Sequence, residues 1–137
     1  MVKFRIIFAI FLLFLIQGQV WANTIASVAT EHVIGNYSIK NPPRQIFFDL
    51  TQINQAGQYA VLRSPTYYAD GSNTFDSIED LVYILCLEQG AGGTWTLIYD
   101  LSRSDVPSSE ELAEIKSSFP EKFPKKLLSN FWQKLLK

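Results

Sequence analysis

Sulfur and imidazole are nearly missing from this chain. Its 137 residues hold one cysteine, Cys86, and one histidine, His32. A zinc centre of three or four His and Cys ligands therefore cannot be built within one copy, and an internal disulfide is excluded. No G-x-S-x-G, phosphate loop or dinucleotide fingerprint occurs. The glycines Gly90, Gly92 and Gly93 lead into a strand pattern, so they do not open a helix N-terminus toward a phosphate. The inventory calls for no metal and no cofactor. An excess of positive charge is also lacking, with 12 basic against 13 acidic residues. That balance makes nucleic acid a poor partner, because phosphate backbones are held by clustered cations. With 47% hydrophobic and 14% aromatic residues, the composition is neither disordered nor collagen-like.

What is present begins with an export pattern. Lys3 and Arg5 precede an unbroken apolar run over residues 6–16, followed by Val20, Trp21 and Ala22. That is the order of a cleavable secretory signal peptide over residues 1–22. Eleven helical residues reach about 16 Å, whereas a bilayer core needs about 30 Å, so no transmembrane span is expected after cleavage. Removing residues 1–22 leaves 115 of the 137, the size of one small domain, residues 23–137. Its balance becomes 10 basic against 13 acidic residues, a net charge of −3. The expected destination is the periplasm or the exterior.

The pattern over the mature chain predicts an α+β fold: an antiparallel meander of about four strands, then two C-terminal helices on one sheet face. Residues 24–33 permit a short helix and 32–39 a loose strand, so this stretch is undecided between the two. Asn41, Pro42 and Pro43 break the chain. Residues 45–53 and 58–64 alternate like strands, with a turn expected over residues 54–57. Tyr67 and Tyr68 extend the second strand toward a turn at Asp70, Gly71, Ser72 and Asn73. Residues 81–87 are apolar on both faces, as in a doubly covered strand, and 94–99 complete a hairpin with them. Ser108 and Glu111 form a capping-box pattern ahead of Leu112, Ile115 and Phe119. Pro124 is placed to begin a second helix, with Leu127, Leu128, Phe131, Trp132, Leu135 and Leu136 in one stripe.

Candidate chemistry is sparse. Cys86 lies in an apolar run where its thiolate is disfavoured, and pairing with His32 is possible only arithmetically. Asp49 interrupts an apolar-aromatic strand; with a second acid it would suit a carboxylate-based hydrolase, and alone it is a solvated strand residue. Asp70, Asn73 and Asp76 lack the EF-hand order. Asn36, Tyr37 and Ser38 spell a glycosylation sequon. Aromatic residues give the positive hint. Tyr67, Tyr68 and Trp95, with Asp49, are the candidates for ligand or partner contact, since amphipathic rings suit binding surfaces. Lys125, Lys126, Phe131 and Trp132 are the candidates for a membrane-facing or partner-facing helix, within a basic cluster that includes Lys122, Lys134 and Lys137. The alternative for that helix is docking on the sheet.

The hairpin from Gly93 through Thr94, Trp95, Thr96, Leu97, Ile98 and Tyr99 loosely resembles the closing strands of cystatin-like and nuclear-transport-factor-2-like secreted domains. Those folds usually place a long helix before the sheet, and the clear helices here follow it. The resemblance carries no functional residue across. The expectation is an exported, non-catalytic binding domain for an unidentified protein or small ligand. A hydrolase and a peripheral membrane-surface protein are the alternatives.

Overall fold

The computed structural model describes residues 24–36, 46–68, 82–103 and 105–137. The proposed signal peptide, the Asn41 to Pro43 break, the Asp70 to Asn73 turn and Asp76 lie outside them. The fold is α+β, as expected. Its centre is a four-stranded antiparallel sheet in the order β2-β3-β5-β6, formed by β2 (Ile53–Ala56), β3 (Tyr59–Ser64), β5 (Tyr83–Gln89) and β6 (Trp95–Asp100). A second, two-stranded sheet pairs β1 (Ile46–Phe48) with β4 (Thr66–Tyr68).

The central strands alternate as a sheet buried on both sides requires. Leu62 pairs with Leu85 and Ala60 with Leu87 on one face, while Val61 pairs with Cys86 on the other. The first face is covered by helix α1 (Ile25–Asn36) and by β1 and β4, which contribute Ala29, Val33, Ile46 and Phe48 to its core. The second is covered by helix α2 (Ser109–Ser118), a 3-10 turn Lys125–Leu127 and helix α3 (Asn130–Leu135). Ile115, Phe123, Leu128, Trp132 and Leu136 seal that side.

Helix α1 decides the undecided stretch as far as Asn36; residues 37–39 of the expected strand lie outside the described ones. The Thr24 hydroxyl accepts from the Ser27 amide at 3.2 Å, an N-cap that satisfies an otherwise orphaned donor. Ile25, Val28, Ala29 and Val33 then form a stripe toward the sheet. The expected strand over 45–53 is divided at Asp49. Its Oδ1 accepts from the Thr51 amide at 3.0 Å and the Thr51 hydroxyl at 2.6 Å, capping a 3-10 turn Leu50–Gln52. A short side chain that binds the backbone two residues on competes with the strand ladder. Residues 54–56 belong to β2 instead of the turn. That turn is Gly57 and Gln58, with Ala56 opposite Tyr59 and Gly57 at φ +59°, a conformation that suits glycine in a two-residue hairpin. Tyr67 and Tyr68 leave the central sheet and pair with β1.

At the C-terminal end the capping box forms as expected. Ser108 Oγ accepts from the Glu111 amide at 3.2 Å, and Glu111 Oε2 accepts from the Ser108 amide at 2.7 Å. The second helix begins later than Pro124, which caps the 3-10 turn; α3 starts at Asn130.

Candidate functional site

Side chains with chemical potential occupy three places. The first joins α1 to the end of β6. His32 Nε2 lies 2.8 Å from Asp100 Oδ2, and Asp100 Oδ1 accepts from the Ser102 amide at 2.9 Å. A β-bulge creates this meeting. Leu87 stands opposite Leu97 but Cys86 stands opposite Tyr99, so Ile98 is the extra residue on β6. Without it, alternation from Leu97 would aim Asp100 at the C-terminal layer. The added residue places both Ile98 and Tyr99 on that layer and sets Asp100 opposite Leu85, on the α1 side.

The pair is built to hold rather than to react. Asn36 Nδ2 donates to the His32 carbonyl at 2.9 Å and sits 3.2 Å from His32 Nδ1. A carbonyl only accepts, so this contact orients the Asn36 amide with its nitrogen toward the ring, and His32 Nε2 faces the Asp100 carboxylate. Catalytic histidines orient one nitrogen with a carboxylate and present the other to substrate; here Asn36 holds the second nitrogen. Arg103 Nε adds a contact to Asp100 Oδ2 at 3.9 Å from an exposed position. Cys86 lies on the opposite sheet face from His32, in the C-terminal layer's core. Burial pushes its thiol pKa up, and the Asp100 charge adds to that. A Cys–His couple is therefore ruled out by topology.

The second place is the outer side of the β1–β4 ribbon. Phe47 pairs with Tyr67, and cross-strand partners share a face. Phe47 is exposed and Tyr67 half-buried, with exposed Leu50 beyond them. Tyr68 points inward and packs against the same core cluster that contains buried Trp95. Asp49 uses its carboxylate on Thr51, whose hydroxyl, followed by its amide, holds the Asp49 pKa below its ordinary value. The four sequence-proposed contact residues are thus dispersed. Only Tyr67 is on the ribbon's outer face.

The third place is a groove of about 220 Å³ at the edge of the C-terminal layer. Lys116 enters it from the last turn of α2 and Lys125 from the 3-10 turn; Phe119, Phe123 and Leu136 form its apolar wall. Pro120 and Glu121 complete the lining. Phe123 stacks edge-on to Phe119 at 4.8 Å and to Tyr59 at 5.3 Å. The sequence explains the construction. Pro120 stops α2, which lets Phe119 and Phe123 fold back on the sheet, and the chain then returns through α3. Lys125 Nζ donates to the Leu136 carbonyl, an acceptor that the end of α3 leaves open, and Lys116 Nζ donates to the Lys137 main-chain oxygen at 3.3 Å.

Of the residues proposed for a membrane-facing or partner-facing helix, Lys125 lines this groove and Lys126 is exposed. Trp132 is 4% exposed and belongs to the core, whereas Phe131 is 46% exposed. The helix is docked on the sheet, and its outer side offers one large apolar residue. Lysines do alternate with aromatics between Lys116 and Lys125, but that pattern was not singled out from the sequence, and the groove's shape depends on packing. No helix among the described residues is long and apolar enough to cross a membrane. Among them, no cluster of three His, Cys, Asp or Glu residues could hold a metal ion.

Comparison with protein-family models, curated proteins and solved structures finds no match. The cystatin-like resemblance of the closing hairpin gains no support from these comparisons.

Proposed function

We propose that the protein is an exported, non-catalytic binding domain whose contact site is the groove beside the C-terminal layer. The observation that carries this reading is the groove itself, a concave site lined by Phe119, Phe123 and Leu136 together with two lysines, Lys116 and Lys125. Small-molecule sites combine those features: apolar lining for affinity and a few polar groups for orientation. The leader-like residues 1–22 support export, and the working compartment on this reading is a periplasm or the extracellular space. A small-ligand binder fits the groove better than a partner-protein modulator, because its volume suits a compact group. Screening the full chain against a fragment library by amide NMR tests the proposal. Shifts are expected to cluster at Lys116, Phe119, Phe123 and Leu136. A set of binders that maps instead to Phe47, Leu50 and Tyr67 would move the site to the β1–β4 ribbon and overturn this placement.

A further inference from the structure

We infer that the groove takes a small organic anion with an apolar body, a medium-chain or aromatic carboxylate, seated with its charged end between Lys116 and Lys125. The inference rests on the binding reading above and adds the ligand's chemical class. Each ammonium carries three donors and uses one on a main-chain oxygen, that of Lys137 for Lys116 and that of Leu136 for Lys125. The two acceptors belong to consecutive residues, Leu136 and Lys137, so both cations approach the same stretch of chain beside the groove with donors to spare. Glu121 is the acid in the lining.

The surrounding charge favours the same class. Residues 116–137 hold six lysines, Lys116, Lys122, Lys125, Lys126, Lys134 and Lys137, against one acid, Glu121. All six are exposed, so the segment attracts anions although the whole chain has a formal net charge of −1. The aromatic wall supplies the other half of the specificity. Phe119 and Phe123 present ring edges and faces at 77° to one another, a surface that suits methylene groups or a second ring. Size sets the limit. A cavity of about 220 Å³ lies below the roughly 300–1,000 Å³ of sites for drug-sized ligands. That leaves room for a short acyl chain or a single substituted ring and too little for a two-chain lipid.

The test is calorimetry and amide NMR on the full chain with monomeric octanoate, octanol and octylammonium. Octanoate is expected to bind and to shift the amides of Phe119, Phe123 and Leu136, with affinity falling as salt is raised. Replacing both cations, K116Q with K125Q, is expected to weaken octanoate about tenfold or more. K116R with K125R keeps most of the affinity, and K134Q, outside the groove lining, weakens it far less than the paired glutamine replacement. Comparable thermal melts for the glutamine and arginine pairs separate lost binding from lost folding, and the salt dependence of the unaltered chain stands independently of either. Octanol binding as tightly as octanoate would overturn the anion class while leaving the groove as a site. If none of the three probes shifts the lining amides, the class and the binding reading both fail. Binding only to anionic phosphatidylglycerol vesicles, abolished by F131A, would replace the groove with the outer surface of the layer and also overturn the inference.

Discussion

The two faces of the central sheet are closed by different chemistry. Toward α1, the helix buries only two small residues fully, Ala29 and Val33, and a polar connection through His32, Asp100 and Asn36 joins it to β6. Toward the C-terminal layer, five large side chains, Ile115, Phe123, Leu128, Trp132 and Leu136, are buried, and no ion pair among the described residues seats them. The lysines of that layer are exposed, and two of them, Lys116 and Lys125, hold the main-chain oxygens of Lys137 and Leu136. A helix with a thin apolar stripe gains orientation from a directional polar pair. A layer rich in aromatics gains it from shape, leaving its charged groups available to a ligand. The proposed binding site accordingly lies on the second face, and the polar pair on the first holds α1 to the sheet.

The contrast can be broken in order of size. Trp132→Ala removes a buried ring from the C-terminal layer and is expected to cost about 3–5 kcal/mol. The neighbouring Phe131→Ala should cost well under that, since Phe131 is half exposed. Urea unfolding of the two variants measures both, and equal losses would mean that the helix is not seated as described. On the other face, His32→Ala leaves the Asp100 carboxylate without its ring donor, and a loss of about 2 kcal/mol is expected. Should His32→Ala prove neutral while Trp132→Ala is severe, α1 would be held by packing alone.

Smaller effects sharpen the local assignments. Ser108→Ala removes one side of the capping box and should cost about 1 kcal/mol by denaturant midpoint. Asp49 gives a pH signature. Its pKa is lower in the folded chain than its ordinary value of 3.8, chiefly through the Thr51 hydroxyl. Its stabilising contribution is therefore complete above the unfolded value and fades as pH falls through the folded one. The stability gap between the unaltered chain and Asp49→Asn should be widest near neutrality and close below about pH 4. A gap that persists in acid would place the effect of Asp49 elsewhere.

Local signals were the readable part of the sequence. Residues 81–87, apolar on both faces, anticipated a strand covered on two sides, and Ser108 with Glu111 anticipated where α2 begins. Both depend on side chains and backbone close in the chain. The α1 helix was ambiguous because its stripe is built from small and β-branched residues that also suit a strand, and its Thr24 cap has no glutamate three places on. Asp49 was read as a strand residue because alternation does not reveal when a carboxylate turns back on its own backbone. The meeting of His32 with Asp100 was out of reach: it spans 68 positions and exists only because one extra residue in β6 reverses the direction of Asp100. Lys125 was selected for its charge, and Lys116 was missed because its place beside Lys125 follows from the chain returning through α3.

Amide hydrogen exchange of the C-terminal residues is the most direct test of the whole picture. Gln133 donates to the Ser129 carbonyl at 2.9 Å and Leu136 to the Trp132 carbonyl at 3.0 Å, and Leu136 walls the groove. Both amides should exchange far more slowly than an unstructured peptide, and octanoate should slow Leu136 further. Exchange of both at the free-peptide rate would mean that the segment is not docked, and the groove and the function assigned to it would go with it.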